Sequence, residues 1–231
     1  MTEALQSYDR DLMILLNMGD QHTIGSDLFF WMISQILVWL PVFIMFVYAL
    51  FRNKRKEFFI LIGLVALVFL LCDQISASLL KPLIARPRPS HDSVIENILQ
   101  YVYGYKGGAF GFPSSHAANG FGFAVFSCLL FRYKPYTIST ILWALLFSYS
   151  RIYLGVHFPC DILVGALLGT GLGFFCHWLY IRYQARHNIC YSSYNTIQYT
   201  STGYKKTDII RIIITLLIVL FTLICVSLQV R

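Results

Sequence analysis

The sequence contains few charged residues. Only 13% of its 231 residues are Asp, Glu, Lys or Arg, about half the usual share of a globular protein. A hydrophobic fraction of 57% excludes an ordinary soluble domain and indicates a polytopic membrane protein. The net charge of +7 would suit a nucleic-acid binder, but the basic residues lie in short loops between apolar runs. We therefore expect the lipid bilayer as a partner and no nucleic acid.

The sequence also lacks a recognisable metal site and a disulfide framework. Its six cysteines are scattered, and most of them lie inside apolar segments. No pair of cysteines has the spacing of metal ligands or of a disulfide framework, and the carboxylates form no cluster. We expect the cysteines to be small hydrophobic residues, and we expect no metal and no cofactor.

Long apolar runs occupy most of the chain. A spanning helix needs about 17–25 residues, and four of the six runs reach this length comfortably. The third run is short and the fourth is marginal, but residues 131–136 make a credible turn between them. We predict an all-α integral membrane protein, a bundle of six transmembrane helices over residues 29–231. The runs are 29–51, 57–80, 116–131, 138–154, 159–181 and 208–229.

The N-terminal segment, residues 1–28, stands apart from this predicted bundle. Leu5, Leu12 and Leu16 recur near helical spacing, with acidic and basic residues between them. This pattern predicts a short interfacial helix lying on the membrane. A mobile terminus is the alternative interpretation of residues 1–20.

The basic loops predict the orientation of the chain. Lys and Arg cluster after the first run, after the third run, and in the Tyr-rich linker 183–207 between the fifth and sixth runs. Loops enriched in these residues face the cytoplasm, and with six spans all three fall on one side. We expect the protein in the plasma (inner) membrane, with both termini and the loops after the second and fourth runs facing the periplasm or the outside.

Three polar stretches lie beside the spans, in or next to the loops predicted to face outward. Their candidate site residues are three cations, two histidines, one carboxylate and a group of hydroxyls. Polar groups beside a membrane span are costly unless they have a function. Together these residue types indicate a site for phosphate chemistry. The stretches are 81–89, 113–116 and 150–161.

The third stretch has the residues of a nucleophilic site. His157 and Asp161 are four residues apart, with Pro159 suited to the first turn of a helix. A carboxylate that accepts from one imidazole nitrogen makes the other nitrogen a better nucleophile. Arg151 ends the preceding span, and its planar guanidinium suits bidentate contact with phosphate oxygens.

The first two stretches add groups that hold and protonate a phosphate ester. Ser114 or Ser115 can cap the third span, whose free amide groups form an anion site. His116 is suited to protonate a leaving oxygen. Lys81 and Arg88, joined by a stiff proline-containing connection, can converge on the same anion.

Read together, these motifs resemble the type 2 phosphatidic acid phosphatase family of membrane lipid phosphatases. That family is marked by Lys-x6-Arg-Pro, Pro-Ser-Gly-His and Ser-Arg-x5-His-x3-Asp, and residues 81–89, 113–116 and 150–161 match in order and spacing. One position departs, because Ser115 stands where the family usually has glycine. We expect this change to alter substrate preference without abolishing activity.

The resemblance implies a two-step hydrolysis without metal. His157 attacks phosphorus with help from Asp161 and forms a phosphohistidine, while His116 protonates the departing oxygen and later activates water. The phosphate oxygens would be held by Lys81, Arg88, Ser114, Ser115 and Arg151. The substrate class is a membrane lipid phosphate or pyrophosphate.

The motifs recognise phosphate and leave the lipid open. Undecaprenyl pyrophosphate and lipid A phosphate are slightly favoured because an outward site suits envelope lipids, with phosphatidylglycerophosphate and phosphatidic acid as alternatives. A transporter or lipid-binding protein is disfavoured because the polar groups cluster at one end of the spans. Vanadate-dependent haloperoxidase chemistry is disfavoured by the six apolar spans, and a catalytically dead relative is disfavoured because His116, His157 and Asp161 are all present. The oligomeric state is not predicted.

Small residues recur at four-residue intervals on the fifth run, at Gly165, Gly169 and Gly173. Such a seam allows another helix to approach closely. We predict that it packs inside the bundle and fixes the end of the helix that carries Asp161, in preference to forming a dimer interface.

Overall fold

The fold is all-helical in the part of the chain that the structure describes. A computed structural model describes residues 3–187 and 197–230, so the middle of the predicted linker 183–207 lies outside the described residues. Within these described ranges nine α-helices follow one another. They are α1 (Glu3–Asn17), α2 (Ile24–Ser34), α3 (Leu40–Asn53), α4 (Phe58–Asp73), α5 (Lys81–Ile84), α6 (Ser115–Phe131), α7 (Lys134–Tyr153), α8 (Pro159–Arg186) and α9 (Lys206–Gln229).

The prediction of an all-α integral membrane protein is confirmed, whereas the count of six spans is not. Among the described residues, four helices are long and apolar enough to cross a membrane: Ile36–Asn53, Arg55–Ile84, Pro159–Arg186 and Lys206–Gln229. Ser115–Phe131 is apolar but shorter, as its sequence run indicated. The six-span count therefore stays a prediction.

The first predicted span is interrupted near its middle. Gln35 has an extended backbone (φ −84°, ψ 123°) and separates α2 from the helical turn that leads into α3. The indole Nε1 of Trp39 donates to the carbonyl of Ile33 at 2.9 Å, which satisfies an oxygen freed by the break. The run 29–51 is thus two helical pieces with a bend between them.

The second predicted span is one continuous helix, Arg55–Ile84. Its end is locally wound as a π-helix over Gln74–Leu80, and α5 follows directly. Ala85 then adopts a left-handed conformation (φ 49°) that stops the helix. This helix carries Lys81 at its end, where the second span was predicted to end.

Helix α1 packs against the protein along one face. Asp9, Met13 and Asn17 are buried at four-residue intervals, and the Asn17 side-chain amide donates to the Tyr153 carbonyl at 2.8 Å. The opposite face exposes leucines, including Leu15, as an interfacial helix would. The interfacial position and the boundary between 1–28 and 29–231 stay predictions.

The glycine seam of α8 packs against α6, as predicted. A Cβ atom added at Gly169 would lie 2.0 Å from the Ala118 carbonyl oxygen. One added at Gly165 would lie 2.4 Å from the Ser114 carbonyl oxygen. The two helices therefore touch backbone to backbone, which brings their N-terminal ends, and the motif residues they carry, next to each other.

The basic loops meet at the opposite end of the bundle. The Lys205 amide donates to the Asn53 side chain at 2.9 Å, and the Thr202 hydroxyl donates to the Phe131 carbonyl at 3.2 Å. The ends of α3 and α6 and the start of α9 therefore lie together. This grouping is the one that the predicted orientation requires.

We expect Gly169→Ala to destabilise the protein, because its new methyl group would overlap the Ala118 carbonyl and force the two helices apart. Overpacking of this kind costs about 1–3 kcal/mol or more. Gly171→Ala is the matched control, since a Cβ there meets nothing within 4 Å. Thermal unfolding in one detergent measures both variants, and an unchanged melting temperature for Gly169→Ala would contradict the close approach.

Candidate active site

His157 lies in the loop between α7 and α8 and is almost fully buried. Its Nε2 atom is 3.2 Å from Nη1 of Arg88. A guanidinium can only donate hydrogen bonds, so Nε2 must be the unprotonated nitrogen that accepts. Burial, followed by the charges of Arg88 and Arg151, holds the pKa of His157 well below its ordinary value. The ring is therefore neutral and carries its proton on Nδ1.

Nδ1 of His157 lies beside the Asp161 carboxylate, although among the described residues it makes no hydrogen bond. Nδ1 is 3.4 Å from Oδ2 of Asp161, which accepts from the Phe158 amide at 3.0 Å. The other oxygen, Oδ1, accepts from Nη1 of Arg86 at 2.8 Å. The structure thus places His157 and Asp161 side by side, as their four-residue spacing predicted. Selection of the His157 tautomer by the carboxylate stays a prediction.

Three cations from the motifs surround His157. Arg88 is buried and donates to the Val156 carbonyl at 3.0 Å. Arg151 is buried with its guanidinium carbon 5.8 Å from the centre of the Tyr105 ring. Lys81 contributes the third charge, and it is one of the cations that lower the pKa of His157. The predicted convergence of these three side chains is seen in the structure.

Two of these cations have donors without acceptors. Within residues 3–187 and 197–230, Nε of Arg88 and Nε of Arg151 are buried and make no hydrogen bond. Buried donors are rarely left unpaired, and planar guanidinium groups match the oxygens of a phosphate. Burial also lowers the pKa of Arg88, which indicates a site from which water is largely removed. An anion bound here would satisfy both groups.

The second motif joins this cluster through α6. The Ser114 hydroxyl caps α6 by accepting from the Ala117 amide at 3.4 Å. The Ser114 amide donates to the backbone carbonyl of Asp161 at 2.9 Å. Between the two predicted alternatives, the structure thus selects Ser114 as the helix cap. Its role in binding phosphate stays a prediction.

Ser115 has a different set of neighbours. Its hydroxyl oxygen accepts from Nζ of Lys81 at 2.8 Å and lies 2.8 Å from the Ser76 hydroxyl. A glycine at this position would lack that acceptor. The departure from the family pattern therefore fixes the Lys81 ammonium, and a direct contact between Ser115 and phosphate stays a prediction.

His116 lies between the polar cluster and an apolar cavity. Its ring stacks on Phe147, with ring centres 5.5 Å apart, in the first turn of α6. The cavity is about 290 Å³ and reaches the bend at Gln35. It is lined by aromatic, aliphatic and a few polar residues, among them Trp39, Phe43, Phe69, Asn119 and Trp143.

Three residues of the site received no role from the sequence. Arg86 and Asp9 form ion pairs in the cluster, and Gly111 allows a close approach. A Cβ at Gly111 would lie 2.9 Å from Oδ2 of Asp161. The signal for Asp9 was its four-residue spacing from Met13 and Asn17, which places an acid on a buried helix face.

Comparison with known proteins decides the family. The model of the PAP2 superfamily matches residues 59–185, more than half of the chain. The chain belongs to the PAP2 superfamily. This agrees with the resemblance drawn from the three motifs, and the chain is accordingly a membrane-embedded lipid phosphatase, a hydrolase.

Two relatives and one solved structure are similar over most of their length. A "Lipid A 4'-phosphatase" of Porphyromonas gingivalis is 40% identical over 185 residues, 80% of this chain and 78% of the relative. A protein of the same name from Bacteroides thetaiotaomicron is 34% identical over 211 residues, 90% and 91% of the two chains. The crystal structure of a transmembrane PAP2 type phosphatidylglycerolphosphate phosphatase from Bacillus subtilis has a TM-score of 0.61, with 24% identity over 78% of this chain and 88% of that one.

We expect Ser115→Gly to remain active with a raised KM for the lipid phosphate. The change removes the acceptor of Lys81, and a hydrogen bond to a charged group contributes about 1.5–3 kcal/mol, which bounds the effect at about a hundredfold. Ser76→Ala is the control, because it keeps the bond between Lys81 and Ser115. Steady-state kinetics of both variants test this, and a kcat near zero for Ser115→Gly would indicate a chemical role for the hydroxyl.

We expect the acidic limb of the kcat/KM profile to lie below pH 6.5, the ordinary pKa of histidine. The reactive form of His157 is the neutral one, and burial and the neighbouring cations lower its pKa. Arg88→Gln removes one cation, so the limb should move to higher pH in the residual activity. Both enzymes are measured with the same lipid, so that its own ionisation cancels. An acidic limb at the same pH in both enzymes would contradict the assignment of the lowered His157 pKa to the neighbouring cations.

Proposed function

We propose that this protein removes a phosphate group from lipid A, at the 4' position, through a phosphohistidine intermediate on His157. The observation that carries the mechanism is the setting of His157, with a cation at Nε2 and the Asp161 carboxylate at Nδ1. The choice of lipid rests on the names of the two relatives. Both align over at least three quarters of their own length.

The first step forms a bond between Nε2 and phosphorus. A phosphate group entering the cluster draws the Arg88 guanidinium onto its oxygens and releases the Nε2 lone pair. As the nitrogen–phosphorus bond forms, the bond from phosphorus to the lipid oxygen breaks. His116, which takes up a proton as the phosphate dianion offsets the neighbouring cations, gives that proton to the oxygen. Asp161 stabilises the positive charge that develops on the His157 ring.

The second step releases inorganic phosphate. The neutral His116 takes a proton from water, whose oxygen attacks phosphorus as the bond to Nε2 breaks. In both steps Lys81, Arg88 and Arg151 hold the phosphoryl oxygens. Such electrostatic positioning supplies most of the catalysis in phosphoryl transfer. No part of this sequence of steps requires a metal ion.

The apolar cavity beside His116 supports a substrate with hydrocarbon chains. Its aromatic walls suit an acyl chain, and His116 at its edge suits a leaving oxygen that lies between chain and phosphate. The active-site loops lie at the end of the bundle away from the basic loops. We therefore assign the reaction to the periplasmic or outer face of the inner membrane.

A panel of lipids tests the substrate. Purified protein in detergent, with chelator and no added metal, is given lipid A, undecaprenyl pyrophosphate, phosphatidylglycerophosphate and phosphatidic acid. Mass spectrometry should show lipid A lacking its 4'-phosphate, with at most slow turnover of the other three. Preferred hydrolysis of another lipid would overturn the choice of lipid A and leave the phosphatase mechanism intact.

His157→Ala is run in parallel to test the mechanism. Loss of the nucleophile should reduce turnover by several orders of magnitude. A phosphoenzyme trapped by alkaline quenching should be present in the wild type and absent in the variant. Phosphate release that survives the change would exclude His157 as nucleophile, and no release from any lipid by the wild type would favour a lipid-binding or transport protein.

A further inference from the structure

Arg86 bridges two buried carboxylates at the edge of the active site. Its Nη1 donates to Oδ1 of Asp161 at 2.8 Å, and its Nη2 donates to Oδ2 of Asp9 at 2.6 Å. The side chains of both acids are fully buried, and that of Arg86 is 13% exposed. The guanidinium carbon lies 4.1 Å from the centre of the Phe158 ring, so packing as well as charge fixes its position.

Asp9 comes from α1, outside the matched family region 59–185. Its second oxygen, Oδ1, accepts from the Cys160 amide at 2.9 Å, in the first turn of α8. A carboxylate at this end of a helix also interacts favourably with the helix dipole. Both carboxylate oxygens of Asp9 therefore accept hydrogen bonds, one from Arg86 and one from the start of the helix that carries Asp161.

These contacts leave Asp161 little freedom. Its Oδ1 is bound by Arg86, and its Oδ2 is held by the Phe158 amide on the side that faces Nδ1 of His157. Without Arg86, Oδ1 would be a buried charge that has lost its strongest partner. The carboxylate would then rotate or shift toward another donor.

We propose that Asp9 and Arg86 form a clamp that positions Asp161 so that its carboxylate orients His157. Helix α1, which carries Asp9, is then part of the active site. This inference rests on the proposed function, since it assumes that Asp161 orients the nucleophile. Arg86 is a positioning residue here. Each of its terminal nitrogens donates to a carboxylate, so in this proposal it acts through Asp161.

Kinetics of Arg86→Ala test the clamp. A carboxylate misplaced by about 1 Å can cost about a hundredfold in rate, so we expect kcat to fall to that extent. KM should stay within about threefold of the wild type, because Lys81, Arg88 and Arg151 are untouched. A kcat equal to that of the wild type would overturn the proposal.

Chemical rescue separates positioning from mere folding. A cleft of about 60 Å³ lies beside the guanidinium, and truncation to alanine enlarges it. Added ethylguanidinium should enter and restore a large part of kcat, whereas ethylammonium, which lacks the planar fork, should restore much less. The cleft is lined by Gln6, Arg10, Arg86, Pro87, Asp92 and Phe158.

Arg10→Met is the matched control on the same helix. Arg10 ties α1 to the outward loop through Asp92, with Nε 2.9 Å from Oδ2, and it has no contact with Asp161. We expect kcat near that of the wild type. An equal loss of kcat in Arg10→Met and Arg86→Ala would mean that the docking of α1 matters and the clamp does not, which would overturn the proposal.

If Arg86→Ala is not monodisperse in detergent, or if ethylguanidinium does not rescue it, Asp9→Asn is the variant that tests the clamp. The change keeps the shape of the side chain and removes its charge. A lower kcat with unchanged KM supports the clamp, and wild-type kinetics overturn it. Asp161→Asn and His157→Ala are measured alongside. If Asp161→Asn and His157→Ala also leave turnover unchanged, the proposed function is wrong. If only Arg86→Ala and Asp9→Asn leave turnover unchanged, the clamp is wrong and the proposed function is unaffected.

Discussion

The close approach of α6 and α8 is the constraint on which the active site depends. The three glycines of the seam, Gly165, Gly169 and Gly173, each lie against backbone atoms at the start of α6 or within it. This packing places the cap of α6 against the first turn of α8, where the Ser114 amide meets the Asp161 carbonyl. His116 and Asp161 thereby lie at rigid helix ends, and the loop that carries His157 lies immediately before α8.

The chemistry of the site follows from placing a histidine among cations. Burial and the charges of Arg88, Arg151 and Lys81 disfavour protonation of the His157 ring, which keeps available the lone pair that the proposed mechanism uses. The same cations leave buried donors without acceptors. A phosphate dianion placed among these cations would offset their mutual repulsion and accept hydrogen bonds from these donors.

The three motifs were enough to predict which side chains converge, because each chemistry-bearing residue lies at a helix end or in a short loop. The seam on α8 was predictable for a similar reason, since its period is that of the helix. The bend at Gln35 was not predictable, because an apolar run has the same composition whether its helix is continuous or interrupted. The clamp was missed because Asp9 and Arg86 are 77 residues apart in sequence, and no local pattern pairs them.

Under the proposed function, the bend at Gln35 is the point where a lipid substrate would enter. The cavity beside His116 reaches this bend, next to Ile36, whose side chain is 65% exposed on the surface of the bundle. A lipid that enters there arrives by diffusion within the plane of the bilayer, without leaving it for water. The concentration that governs saturation is then the mole fraction of substrate among the membrane lipids. Diluting the substrate with inert lipid should slow the enzyme even when the bulk amounts of both are unchanged.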